Sequence, residues 1–275
     1  MTSRGSVLIT GCTDGGIGSA LAVTFQKRGF RVFATTRDPI KMSDLGLPNI
    51  TRLPLDVTKQ ADISAAVEAV SKETGGTLDY LINNAARTHV SPVLDEDIEK
   101  AKSIFDTNLW GTIAVTQAFS PLIVKARGTI VFISSIQGYI NAPFKATYAA
   151  SKKAQEIFAD TLRVELTPFR VSVTQIVTGM VLSNCHSYFD DFKLPEKSLY
   201  KPIEEAIGKY ASGRAGMPTL EYAEHVVEVV LKRETEKYWF GPWAGDIKAR
   251  MAPIMPYEST DVQFAKGTGL DTWDQ

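Results

Sequence analysis

The sequence predicts an α/β fold: a doubly wound domain of parallel strands flanked by helices. Three observations predict it. A short β-branched run, Ser6–Thr10, leads into a glycine-rich turn and then a helical pattern. Strand-like and helix-like stretches then alternate as far as Thr178, an order that calls for a parallel sheet with helices on both faces. The chain's 275 residues, 44% hydrophobic and 22% charged, suffice for a large core.

Taken in order, Ser6–Thr10 (SVLIT) reads as a buried strand. It runs into Gly11-Cys12-Thr13-Asp14-Gly15-Gly16-Ile17-Gly18, and a helical pattern follows to Gly29. Strand, glycine turn and helix form the context of a dinucleotide fingerprint. Glycines let the backbone approach a pyrophosphate, and the helix N-terminus offers it free N–H groups. The second strand, Arg31–Thr36, is followed by Arg37. An acid at this strand end would bond the ribose 2′-OH of NAD; none is present, and a guanidinium suits a 2′-phosphate. NADP(H) is therefore the expected cofactor, with an Arg37–Asp38 surface pair as the alternative.

Ile50–Val57 reads as a third strand, with Asp56 either bonding an adenine amino group or solvated in a loop. Ala61–Lys72 is helical in pattern, and Leu78–Asn84 is a fourth strand entering Ala85-Ala86, small residues that would let a ribose come close. Asp97–Lys125 is a long helical pattern around Asn108, a polar residue among apolar ones that needs a partner or a kink. The fifth strand is Gly128–Ser135, the sixth Arg170–Thr178 and the seventh Lys237–Gly241. Between the fifth and sixth, a helix runs to about Leu166 and carries Tyr148-Ala149-Ala150-Ser151-Lys152. Tyr and Lys four residues apart share a helix face. A cation beside a phenol favours the phenolate, so such a Tyr can exchange a proton with a carbonyl or alcohol oxygen.

Other features exclude classes of function. A net charge of -1 gives no field for nucleic acid. Cys12 and Cys185 are too few for a disulfide framework and fit a reducing compartment. His89, His186 and His225 are scattered, without metal-ligand spacing, so no metal is expected. No stretch approaches the roughly 18 apolar residues of a membrane span, and MTSRGSVLIT lacks a signal-peptide pattern. A cytoplasmic protein is the expectation.

These residues together resemble the short-chain dehydrogenase/reductase family, which implies a single Rossmann-type domain of about seven parallel strands in the order 3-2-1-4-5-6-7, with a small helical substrate lid. The resemblance rests on Gly11…Gly16-Ile17-Gly18, Asp56-Val57, Asn83-Asn84-Ala85, Asn108, Ser135, Tyr148-x-x-x-Lys152 and Gly179-x-Val181-x-Ser183. Their order and spacing match, with Ser135 placed 13 residues before Tyr148 and Asn108 placed 27 before Ser135. The resemblance implies a catalytic set of Asn108, Ser135, Tyr148 and Lys152. Tyr148 would be the general acid, Lys152 would hold the nicotinamide ribose, and Ser135 (with Ser134 the runner-up) would orient the substrate oxygen. Asn108 would hold a water behind the Lys. The implied cofactor contacts are Gly11, Thr13, Asp14, Gly16, Ile17, Gly18, Arg37, Asp56, Val57, Asn83, Asn84, Ala85, Tyr148, Lys152, Gly179, Val181 and Ser183.

Three departures stand out. Four residues separate Gly11 from Gly16, where the family usually has three; Ala86 replaces a Gly; and Thr178-Gly179 replaces Pro-Gly. The longer turn resembles the branch of fungal NADPH-dependent acyl-dihydroxyacetone-phosphate reductases, which also serves natural-product pathways. The family implies a homodimer or homotetramer through the Asn108 and Tyr148 helices. It implies hydride transfer to or from a carbonyl or alcohol. The same fold also hosts double-bond reduction, isomerisation and, less expectedly, dinucleotide sensing.

The domain is read as residues 1–275, with a core over 5–183, a lid over 184–217 and a tail over 242–275. His186, Tyr188, Phe189, Phe192, Leu194, Leu199 and Tyr200 give the lid an apolar character. They either line a pocket for a hydrophobic substrate or pack the lid itself. His89 reads as a loop residue that faces solvent or substrate, His225 as structural, and the tail as a cover for either the pocket or an interface.

Overall fold

The computed structural model describes residues 3–184, 189–212 and 215–250, with Arg250 as backbone only. Its main sheet has seven parallel strands: β1 (Ser6–Thr10), β2 (Arg31–Thr36), β3 (Ile50–Pro54), β4 (Tyr80–Asn83), β5 (Thr129–Ser135), β6 (Ser172–Thr178) and, after two short strands, β9 (Lys237–Phe240). Their spatial order is β3-β2-β1-β4-β5-β6-β9, so the seven-strand order implied by the family resemblance holds. The short strands β7 (Val181–Leu182) and β8 (Met217–Pro218) pair with each other and anchor both ends of the lid.

The pleat explains the two layers. Neighbouring side chains on a strand point to opposite faces. Val7 and Ile9 therefore enter one core, with Phe25 of α1 (Ile17–Lys27) and Tyr222 of α7 (Thr219–Val230), while Leu8 enters the other. That second core holds Phe119 of α4 (Thr112–Ala126), Ile63 and Val70 of α2 (Gln60–Thr74) and Ala159 of α5 (Ala146–Glu165). Strands buried on both faces read as unbroken apolar runs, which is why SVLIT and TIVFISS are conspicuous.

Two elements differ from the sequence expectation. The third strand stops at Pro54, because Asp56 turns the chain. Its backbone N–H donates to the Asp62 carboxylate (3.0 Å), and its own carboxylate accepts from Thr58 N–H (3.1 Å) and Oγ1 (2.7 Å). The pattern over 97–125 is three consecutive pieces: α3 (Ile98–Phe105), a π-helical turn (Asp106–Gly111) and α4. Pro121 sits inside α4, where its missing N–H would orphan the Gln117 carbonyl. Ser120 Oγ donates to that carbonyl instead, at 2.8 Å. Among the described residues the remaining α-helices are α6 (Glu204–Ser212) in the lid and α8 (Ala244–Arg250). Among the described residues no helix is long and apolar enough to cross a membrane.

Candidate functional site

A cavity of about 1130 Å³ runs along the C-terminal strand ends, bounded by Gly11 after β1, Thr36 of β2, Asn84 after β4, Ser135 of β5 and Thr178 of β6. This is where open α/β sheets bind ligands. One end is the glycine turn. Gly11 has φ +75°, and a Cβ there would lie 2.9 Å from Ala85 Cα; a Cβ on Gly18 would lie 2.4 Å from the Gly11 carbonyl oxygen. Both glycines are thus required by close backbone approach. The extra residue of the turn brings Gly15 (φ +71°) against Asn184, whose side-chain amide donates to the Asp14 carbonyl at 2.7 Å. Helix α1 opens with Gly16 at its N-cap, with no side-chain cap and no acid in its first turn. Its leading N–H groups and positive dipole end therefore face the cavity without a competing carboxylate on the helix.

Thr10 ties this turn to β4. Its Oγ1 accepts from the backbone N–H groups of Asn84 (3.0 Å) and Ala85 (2.9 Å), while the Asn84 amide donates to the Thr10 and Gly11 carbonyls (2.8 and 3.1 Å). At the far side of β2, Arg37 is exposed and lines the cavity. The alternative partner, Asp38, instead accepts from the Ile40 N–H at 3.1 Å and caps its own turn. Asp56 also lines the cavity. Burial acts to raise its pKa, but the Thr58 hydrogen bonds and the charges of Arg37 and Lys59 outweigh that and hold it below the usual carboxylate range.

The other reactive groups converge at the middle. Tyr148, Lys152 and Ser135 all line the cavity. Lys152 is only 3% exposed. Its Nζ donates to the Ile133 carbonyl (2.8 Å) and to Gln155 Oε1 (3.3 Å). Desolvation pushes its pKa down to about 8, opposed by the charge of Glu156. Both serines at the end of β5 border the cavity; Ser134 donates to the buried Glu156 carboxylate, while Ser135 Oγ accepts from the Gln137 N–H at 3.2 Å. Desolvation raises the Glu156 pKa, against hydrogen bonds from Ser134 and Tyr139.

Four residues from the expected set do not border the cavity. Asp14 is a cap: its carboxylate accepts from the Ser43 N–H and Oγ, both at 2.7 Å, and from Asp44 N–H. Gly18 serves the helix–strand contact above. Asn83 is 2% exposed and donates to Thr116 Oγ1 at 3.0 Å. Asn108 is fully buried in the π turn. Its Nδ2 donates to the Arg87 carbonyl (2.9 Å) and Ser151 Oγ (3.0 Å), and its Oδ1 accepts from Arg87 N–H (2.8 Å). It locks three elements behind Lys152. Its backbone carbonyl accepts from Gln155 Nε2 (3.1 Å) and Thr112 Oγ1 (3.1 Å).

At the lid end, the second of the two readings of the lid's apolar residues holds for Phe189, Phe192, Leu194 and Tyr200. Phe189, Phe192 and Tyr200 pack on Val90, Leu194, Ile207 and Ala211 in the lid's own core, and none borders the cavity. That end is walled instead by Met180, Tyr210 and Trp243, with Lys145 and Lys209 beside them. The Lys145 ammonium lies 5.5 Å from the Phe189 ring centroid and 5.8 Å from that of Tyr210. Leu199 is 79% exposed. His89 is neither solvated nor at the cavity; its Nε2 pairs with Glu96 at 2.6 Å. His225 is exposed and stacks on Phe240. Cys12 is fully buried, and burial pushes its thiol up to about 12, so it is no nucleophile. Cys185, His186, Tyr188 and most of the tail lie outside the described residues. The described residues contain no cluster that could hold a metal.

Comparison with known proteins agrees with this geometry. Residues 6–193 match the family model described as short chain dehydrogenase. The chain is 46% identical over 271 residues to the short-chain dehydrogenase ptmH of Penicillium ochrochloron, covering 97% of this chain and 99% of that one. It is 36% identical over 272 residues to the NADPH-dependent 1-acyldihydroxyacetone phosphate reductase of Schizosaccharomyces pombe, covering 94% and 92% of the two chains. A crystal structure of a short-chain dehydrogenase from Burkholderia cenocepacia in complex with NADP superposes with a TM-score of 0.74 at 25% identity, covering 92% and 94%. With a cavity of this form and a family match over most of its length, the chain belongs to the short-chain dehydrogenases.

Proposed function

We propose that this enzyme is an NADPH-dependent oxidoreductase acting on the carbonyl or alcohol of a small, largely apolar molecule, with Tyr148 as general acid and base. The observation that carries this reading is the single cavity shared by the glycine turn, Arg37, Ser135, Tyr148 and the buried Lys152. The residues fit the cofactor. The uncapped α1 N-terminus and the glycine turn that opens onto the cavity suit a pyrophosphate, and Arg37 suits a 2′-phosphate. The NADPH named for the fission-yeast relative and the NADP bound by the Burkholderia protein point the same way.

NADPH, when bound, supplies the hydride. The chain's residues do the rest. Ser135 Oγ donates a hydrogen bond to the carbonyl oxygen and fixes its orientation. Tyr148 gives its phenolic proton to that oxygen as negative charge develops there. Lys152, one helical turn away, presents a cation that stabilises the phenolate left behind. In the oxidative direction Tyr148 takes the proton back. Met180, Tyr210 and Trp243 offer apolar walls to the substrate body. Exposed Trp110 and Ile157, each at 59%, support the subunit contact the family suggests through this helical face. A reduced, buried Cys12 suits a cytoplasmic setting.

The test is NADPH oxidation with a panel of hydrophobic ketones, for wild type and Tyr148→Phe. The reading predicts turnover in wild type and none in the variant, with NADPH still bound. Near wild-type turnover in Tyr148→Phe would refute it.

A further inference from the structure

Gln155 stands between two groups of the site without being one of the residues the sequence singles out. It is 1% exposed, three residues after Lys152 on α5. A Gln amide has one accepting end and one donating end. Here the accepting Oε1 faces the Lys152 ammonium at 3.3 Å, and the donating Nε2 faces the Asn108 carbonyl at 3.1 Å and Thr112 Oγ1 at 3.3 Å. The orientation is fixed by chemistry: an ammonium can only donate and a carbonyl can only accept. Reversing the amide would turn both contacts repulsive.

The surroundings leave this bridge little substitute. A carbonyl oxygen has two acceptor sites, and on Asn108 both are used, by Gln155 Nε2 and Thr112 Oγ1. The π turn over 106–111 takes this carbonyl out of the ordinary helical register and lets a neighbouring helix reach it. On the Lys152 side, the Ile133 carbonyl is the second acceptor, and the cavity with Tyr148 takes up the remaining direction.

We propose that Gln155 is a positioning residue: its side-chain amide links the Asn108 carbonyl directly to the Lys152 ammonium, holds that ammonium toward Tyr148, and fills the place through which a water would otherwise join the two. Its part in turnover rests on the function proposed above; its effect on Lys152 does not. An amide in this position conducts no proton, since its N–H and C=O are both engaged and neither titrates. Protons therefore reach the Tyr148–Lys152 pair from the cavity side rather than from behind Lys152. Gln155 also keeps the ammonium charged, because it supplies one of its two protein acceptors. The ionisable group that acts on Lys152 is Glu156 on its own helix, itself surrounded by Ser134, Tyr139, Lys153 and Lys237; Tyr148, one turn before Lys152, borders the same cavity. From β5 the contact is a backbone carbonyl, and from the π turn another, through Gln155.

The test titrates Lys152 in the full-length chain without nucleotide. Lysines carrying ¹³C at Cε are followed by NMR as pH is raised, and the Lys152 signal is assigned by its loss in Lys152→Met. Wild type should titrate near pH 8. Gln155→Leu and Gln155→Met keep the volume but remove the amide; their midpoints should fall by about one pH unit, the scale of one hydrogen bond to a charged group. Gln155→Ala leaves room and three polar neighbours for a water, and its midpoint should return close to wild type. An unchanged midpoint in whichever of the Leu or Met variants keeps the wild-type circular dichroism would overturn the proposal. So would a Gln155→Ala midpoint as low as theirs, because water would then not replace the amide. In NADPH-dependent ketone reduction the alkaline limb of kcat should move down by the same amount in Gln155→Leu. If wild type shows no NADPH turnover while the midpoints shift as stated, the positioning role stands and the proposed reaction falls.

Discussion

The two ends of the cavity are built on different principles. At the nucleotide end the walls are backbone: the glycine turn, the α1 N-terminus and the ends of β1, β2 and β4, held by Thr10 and Asn84. At the lid end the walls are side chains, Met180, Tyr210, Lys145, Lys209 and Trp243, drawn from segments far apart in the chain. A backbone cradle fits one ligand class and tolerates little change. A wall of side chains can be altered residue by residue without disturbing the sheet. The difference teaches where cofactor and substrate selection are separately encoded, and mutations at the two ends should separate them.

The largest effect should come where the two ends meet. Tyr148→Phe removes the proposed proton donor but no wall, so kcat should fall on the order of 10³-fold while NADPH affinity stays within a few fold of wild type. If affinity collapses too, the phenol is part of the cradle and the division fails. Next in size is Arg37→Ala. Loss of a charge-assisted contact to a 2′-phosphate should weaken NADPH by tens of fold and leave NADH nearly unchanged, as read by fluorescence titration. At the lid end, Tyr210→Ala should raise the ketone KM several fold with NADPH binding intact. Phe192→Ala, which empties part of the lid's own core, should lower the thermal midpoint without touching NADPH affinity.

Lys152 sharpens the comparison through stability. Its pKa falls from 10.5 in the unfolded chain to about 8 in the fold. The unfolded state thus binds more protons between those two pH values, and this group makes stability rise with pH across that window. Below about pH 8 its full burial cost is present. Lys152→Met should therefore unfold at a higher temperature than wild type at pH 7, by on the order of 1 kcal/mol after the lost hydrogen bonds are counted. The advantage should shrink as pH rises from 8 toward 10.5. A variant less stable than wild type at every pH would mean that the buried ammonium is a net support of the fold.

What could be read from the sequence follows the same divide. Local requirements leave local marks. Glycines at Gly11 and Gly18, the apolar run Ser6–Thr10 and the absence of an acid before Arg37 each report a demand made by the backbone or one strand end. The parallel sheet followed from alternating segments, and its strand order from the family resemblance. The lid did not, because Phe189, Phe192 and Tyr200 carry the same hydrophobic signal whether they pack on Val90 or face a ligand. Asp14 and Asn83 match a motif by position, but their polar atoms go to Ser43 and Thr116, partners 29 and 33 residues away. Gln155 left no mark because its meaning depends on a carbonyl 47 residues earlier that a π turn exposes.

The central claim, that the backbone end of this cavity holds NADPH with Arg37 reading its 2′-phosphate, is tested most directly by measuring NADPH and NADH affinity for wild type and Arg37→Ala. The account predicts a strong NADPH preference in wild type that disappears in the variant. Equal affinity for both nucleotides in wild type, or a preference that survives the loss of Arg37, would contradict it.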